Sequence, residues 1–367
     1  MFIVAVVVFL NVSLVVFPSV SLEWARHGLG LWFNNVLPAL LPFAVGINIL
    51  TKVGFTRYLG KMLGPVMRPL FRVPGVGGFA LLSGMVSGQP LGAKVTADLR
   101  SEGLLTKEEA RRLSAFSNCA GPLFVISVVG VGVFQNARAG YFLFIVHIAA
   151  ALCVGLIVRW FGRPIAGGDT MAQRPADTNI QTHNFGATLG QSIVSGMETM
   201  LLVGGFIILF NVIIGVIGAV LPVLAGEGWF MGIIEITAGV NAVSEASRIG
   251  LATAAGIISW GGLCIHGQSI GYLSKTDIGS GAYLGGKVLH ASIAAGITYL
   301  SYPLFINWGG DTPVGYFYDA VLPPPHSVLS VAFRSLIAFG ASVAFIAVLG
   351  AVAYRISKSV VSSKTKL

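Results

Sequence analysis

Charge is what this sequence has least of. Only 10% of its 367 residues are Asp, Glu, Lys or Arg, against 55% hydrophobic residues and a mean hydropathy of +0.83. A water-facing globular surface needs about a quarter of its residues charged, so a soluble domain, a disordered tail and a fibre are all excluded. Cysteine is also scarce. Cys119, Cys153 and Cys264 lie in apolar runs without C-x-x-C spacing, which argues against a disulfide framework or a zinc site. There is no H-E-x-x-H and no Walker A sequence. Gly267-Gln268-Ser269-Ile270-Gly271 fits G-x-S-x-G, but it ends an apolar run instead of linking a strand to a helix. The sequence therefore reads as a protein with no enzymatic role, no metal and no cofactor.

Long apolar runs are abundant. They lie at 2–20, 28–50, 115–135, 140–160, 188–221, 250–271, 283–306 and 330–354, each long enough to supply the roughly 20 residues that a spanning helix needs. The first run lacks a basic leader and a clear cleavage site, so it reads as a retained helix. Two further runs, about 75–97 and 229–247, are interrupted by Gly, Pro, Ser and Asn. The net charge of +9 is not a nucleic-acid signature, because the basic residues sit in short loops between apolar runs. With both interrupted runs taken as re-entrant hairpins, 17 of the 23 Lys and Arg residues fall on one side. That side is then the cytoplasm, with both termini on it. The resulting organisation is an N-terminal transmembrane helix (1–24), a first unit (25–160), a cytoplasmic linker (161–187), a second unit (188–306), and an outer loop, last transmembrane helix and basic tail (307–367).

The two units look alike. Each has an interrupted hairpin followed by a helix with a broken start, "FSNCAGPLFVIS" (116–127) in the first and "ISWGGLCIHGQS" (258–269) in the second. The hairpins enter from opposite sides, so the fold class expected is an all-α integral membrane protein built on an inverted repeat. Paired broken segments of this kind point to a transport site near the bilayer midplane. Between hairpin and helix in the first unit, Thr106 followed by Glu109 fits a capping box.

Polar groups at the breaks are the candidate substrate-binding residues: Ser83, Ser87, Gln89 and Lys94 in the first hairpin, and Asn118 and Gly121 at the first broken helix. Glu235, Thr237 and Asn241 follow in the second hairpin, then His266, Gln268 and Ser269 at the second broken helix. Ionisable groups inside a membrane are costly and are functional candidates by default. Lys94 reads as the counter-charge for an anionic solute. Glu235 reads as a site for a coupling proton or Na+, and His266 as a second proton-coupling candidate. Glu198 is a weaker candidate. His147, His290 and Lys287 have no motif around them and read as structural.

Several segments together resemble a known family. "SGQPLGAK" (87–94), "LTKEEARRL" (105–113), "FSNCAGPLFVISVVGVGVF" (116–134), "EITAG" (235–239) and "GGLCIHGQ" (261–268) resemble the YlbJ-like sporulation integral membrane proteins, within the nucleoside-recognition or gate-domain superfamily. The family more often reads "SGYP" and "NNPGP" where this chain has Gln89 and Cys119-Ala120. The resemblance implies a fold similar to the concentrative nucleoside transporters and a multi-pass location in a bacterial cell membrane, such as the outer forespore membrane. It implies movement of dipicolinate toward the developing spore. The alternatives are nucleoside transport, or a structural component of a spore membrane complex that transports nothing. Implied partners are a small dicarboxylate or nucleoside, the lipid bilayer, a coupling cation and a second copy of the chain.

Overall fold

The computed structural model describes residues 8, 11–161, 185–225, 227–243 and 245–307. The expected linker, outer loop, last helix and basic tail lie largely outside these. The described residues are helical, with no strand among them. Five helical spans among them are long and apolar enough to cross a membrane: Pro18–Lys52, Ala137–Val158, Phe185–Val220, Arg248–Leu273 and Gly281–Ile306. The protein is an all-α multi-pass integral membrane protein.

The first span is made of α1 (Pro18–Leu31), a π-helical turn (Trp32–Val36) and α2 (Leu37–Lys52). Pro18 stands at the start of α1, where its missing N–H costs nothing and its fixed φ suits a first turn. The helix therefore runs straight through the domain boundary expected at residue 24. Next comes α3 (Phe55–Phe71), which is amphipathic. Leu59, Leu63, Met67 and Phe71 recur every fourth residue and are buried, whereas Arg57, Lys61 and Arg68 are exposed. A basic face opposite an apolar stripe suits a helix lying in the membrane interface.

The first interrupted run is a pair of packed helices, α4 (Gly77–Ser87) and α5 (Leu91–Ser101). The turn is set by Gly88 at φ 90° and ψ −179°, a conformation essentially closed to residues with a Cβ. A short helix, α6 (Lys107–Ser114), follows and is opened by the expected capping box. Thr106 Oγ1 accepts the Glu109 N–H at 3.3 Å, and Glu109 Oε2 accepts the Thr106 N–H at 2.8 Å.

The run expected to cross at 115–135 is not one helix. Residues 118–121 are unwound, and the π-helical α7 (Leu123–Val133) has only 11 residues. Pro122 supplies no N–H to any helix continuing back through Gly121, so the regular helix starts after it. Then come α8 (Ala137–Val158), α9 (Phe185–Val220) and the single turn α10 (Pro222–Ala225). The second interrupted run is α11 (Gly228–Ile234) and α12 (Ile236–Asn241), which turn about Glu235 and pack on each other. It closes earlier than the 229–247 expected. The last described span is α13 (Arg248–Trp260), broken at Gly261 from α14 (Gly262–Leu273), and then α15 (Gly281–Asn307).

Helices α1 and α2 pack along α9, and α13 packs along α15 and α8. The end of α5 is tied to the loop between α14 and α15, where Arg100 donates Nε and Nη2 to the two carboxylate oxygens of Asp277 at 2.8 and 2.9 Å. This two-pronged bond holds the Asp277 carboxyl below its usual range.

Candidate functional site: four backbone breaks around one cavity

The four interruptions, far apart in sequence, meet in space. A Cβ placed on Gly121 would stand 3.2 Å from the Cα of Gly88, so the first hairpin turn touches the first unwound helix start. A Cβ on Gly262 would stand 3.0 Å from the Cα of Glu235, which joins the second hairpin turn to the α13–α14 break. Across these two pairs, a Cβ on Gly261 would stand 2.9 Å from Gln89 Oε1. Between them lies a cavity of about 190 Å³. Irregular backbone at membrane depth is tolerated only where protein buries it or it lines a cavity, and here it lines one.

The walls are mostly apolar. Val36, Leu40 and Phe43 come from the π-turn and α2, Phe124 and Val128 from α7, and Val203 and Ile207 from α9. Polar groups enter at the breaks. Of the residues expected from the sequence, Ser87, Gln89, Gly121, Glu235, Thr237 and Gln268 line this cavity. Gln89 is 8% exposed, and neither its amide oxygen nor its amide nitrogen has a hydrogen-bond partner. Leaving a buried amide unpaired costs about 1–3 kcal/mol for each group, and both amide atoms of Gln89 keep free hydrogen-bonding capacity at the cavity wall. Gln268 donates Nε2 only weakly, to Cys264 Sγ at 3.4 Å. Glu235 caps α12, its Oε2 accepting the Ala238 N–H at 2.8 Å, and Thr237 also bonds its carboxylate.

The other six expected residues lie outside the walls. Lys94 is one turn along α5 from the break. Its Nζ is bonded to Asp98 Oδ2 at 2.9 Å and Asn48 Oδ1 at 3.3 Å. The i,i+4 spacing of Lys94 and Asp98 draws the ammonium along α5, so the structure does not bring it to the cavity. Asn241 is exposed near the end of α12, and Ser83 is buried within α4. Asn118, His266 and Ser269 lie behind the wall in a buried polar network. Asn118 Nδ2 donates to Ser269 Oγ at 2.8 Å, its Oδ1 accepts the Ala93 N–H at 3.4 Å, and His266 Nδ1 meets Tyr283 OH at 2.9 Å.

Sequence reasoning missed three members of that network, Lys287, His147 and Tyr283. Lys287 is 1% exposed and donates Nζ to the carbonyl O of Asn118 at 3.1 Å. His147 Nε2 accepts the Ala120 N–H at 2.9 Å, so its proton sits on Nδ1, facing Ser259 Oγ at 2.8 Å. A lysine inside an apolar run was the available signal. Asn35, in the π-turn, also lines the cavity and was not expected from any motif.

Comparison with known proteins bears on this arrangement. The family model described as "Gate: Nucleoside recognition" matches residues 33–137, which carry the first hairpin and the first broken helix. The chain is 35% identical over 349 residues to the sporulation integral membrane protein YlbJ of Bacillus subtilis (strain 168), covering 85% of this chain and 85% of that protein. No solved structure matches it.

Proposed function

The chain belongs to the YlbJ family of sporulation integral membrane proteins, and from that premise we propose that it carries a small planar polar solute, dipicolinate in the first instance, across a membrane of the sporulating cell. The solute occupies the cavity between the two hairpin turns. The two hairpins and two broken helices act as inverted halves, and rocking one half against the other exposes the cavity to each side in turn.

The observation that carries this reading is the buried, unpartnered amide of Gln89 facing a cavity formed where four backbone breaks meet. A rigid protein interior seldom leaves both atoms of an amide unpaired. Phe43 and Phe124 offer aromatic wall to a flat ring, and the Gln89 and Gln268 amides offer N–H groups to carboxylate oxygens. Nucleoside carriage is the second reading. It is favoured by the neutral amides in the wall and by the description of the family matched over residues 33–137.

Uptake into proteoliposomes containing the purified chain tests this directly. Dipicolinate is expected to enter and to be outcompeted poorly by uridine or adenosine. Gln89→Leu is expected to reduce solute affinity about 10- to 100-fold, the value of a lost hydrogen bond to a charged group. Preferential uptake of nucleosides would move the assignment to the second reading. No uptake of either would leave a structural component of the spore membrane.

A further inference from the structure

We infer that Lys287 is the charge that gives the cavity its preference for an anion, acting from behind the wall through the unwound segment 118–121. This deepens the proposed carrier function and rests on it. Lys287 comes from the second turn of α15, and its neighbour Gly286 packs so closely on Ala115 that a Cβ there would collide with the Ala115 carbonyl oxygen. That approach brings the Lys287 ammonium to the carbonyl of Asn118, two residues before the wall residues Ala120 and Gly121.

Three observations make this charge available to a solute. First, no carboxylate lies within 4.0 Å of Lys287 among the described residues, whereas Lys94 is paired with Asp98. Second, His147 adds no charge of its own, because its Nε2 must accept the Ala120 N–H, and its backbone carbonyl oxygen takes the N–H of the adjacent His290 Nε2 at 2.9 Å. Third, the cavity wall itself contains Glu235 but neither Lys nor Arg. A dicarboxylate in that cavity has no cation to face in the wall, and a buried ammonium without an acid beside it is expensive to maintain. Each satisfies the other across one thickness of backbone. Lys287 is thus a positioning and specificity residue, since its ammonium bonds the segment and not the solute.

The test separates charge from structure by using a neutral isostere. Purified wild type, Lys287→Gln and Lys287→Arg are titrated with dipicolinate and with pyridine-2,6-dicarboxamide, which keeps the ring and both arms but carries no charge. Lys287→Gln is expected to lose on the order of tenfold in dipicolinate affinity relative to the dicarboxamide. Lys287→Arg is expected to keep the wild-type preference. Equal loss for both ligands, or an unchanged ratio, overturns the inference and leaves Lys287 structural. Lys287→Met replaces the glutamine variant if that one does not fold. If neither folds, the wild type decides, because equal affinity for the two ligands contradicts the inference. Wild type that binds nucleosides but not dipicolinate removes the carrier reading for dipicolinate, and this inference with it.

Discussion

Glu235→Gln is expected to fold normally and to lose most of its transport, about tenfold or more. Glu235 sits in extended backbone at φ −147° and ψ 132°, where it ends α11 and begins α12. Its side chain does two separable things. One oxygen accepts the Ala238 N–H and so caps α12, while the carboxyl group lines the cavity. Glutamine keeps an acceptor oxygen on a chain of the same length, so the cap and the hairpin survive. It cannot take up a proton at neutral pH, and without the negative charge it holds a cation far more weakly. A carboxylate beside a dianion needs to be neutralised each cycle, and a proton or Na+ taken up at Glu235 does this. Uptake should therefore vary with pH in the wild type and lose that variation in Glu235→Gln. Unchanged uptake in the variant would assign Glu235 to capping alone.

Gly84→Ala should be among the most damaging substitutions that add only a methyl group. A Cβ at Gly84 would collide with the carbonyl oxygen of Ser117 and stand 3.3 Å from the Cα of Gly92 on the opposite arm. The obstacle is backbone on both sides, so no side-chain rotation relieves it. Overpacking a close-packed interior typically costs about 1–3 kcal/mol, and an immovable neighbour places this case at the upper end. The detergent-solubilised variant should melt several degrees below wild type and transport poorly. Gly46→Ala on α2 is the matched control. Nothing lies within 4 Å of its added Cβ, and removing glycine from a helix interior gains about 1 kcal/mol. A Gly84→Ala variant as stable as Gly46→Ala would mean that the two hairpin arms are not packed as described.

The breaks were legible because glycine and proline announce them. Gly88 and Pro90 interrupt an apolar run, Gly121-Pro122 delays a helix, and Gly261-Gly262 splits another. The expected capping box at Thr106 is present because Ser or Thr three residues before Glu is a local signal needing no tertiary contact. What sequence could not supply was direction and partner. Lys94 is close to the break in sequence, but Asp98 lies one helical turn further on and takes its ammonium. Lys287 is 200 residues from Ser87 and has no motif around it. The packing of Gly286 on Ala115 brings it to the unwound segment behind the cavity wall. Likewise Asn118 was expected to face a solute. Its amide instead braces Ala93 against Ser269, a role set by three elements distant in sequence. The span expected at 28–50 begins at Pro18 for a simpler reason. The apolar stretch is nearly continuous there, and Pro18 marks a helix start only once its φ is known.

Solute protection of engineered cysteines tests most directly whether the meeting point of the four breaks is the binding site. Cys119, Cys153 and Cys264 are first replaced by alanine or serine, and single cysteines are then placed at Ser87, Thr237 and, as a control, the exposed Tyr58. With saturating dipicolinate or, on the second reading, nucleoside, modification by a small thiol reagent should slow at both Ser87 and Thr237 and stay constant at Tyr58. Unchanged rates at Ser87 and Thr237 with every solute would contradict the account, because a site between the two hairpin turns cannot fill without covering both.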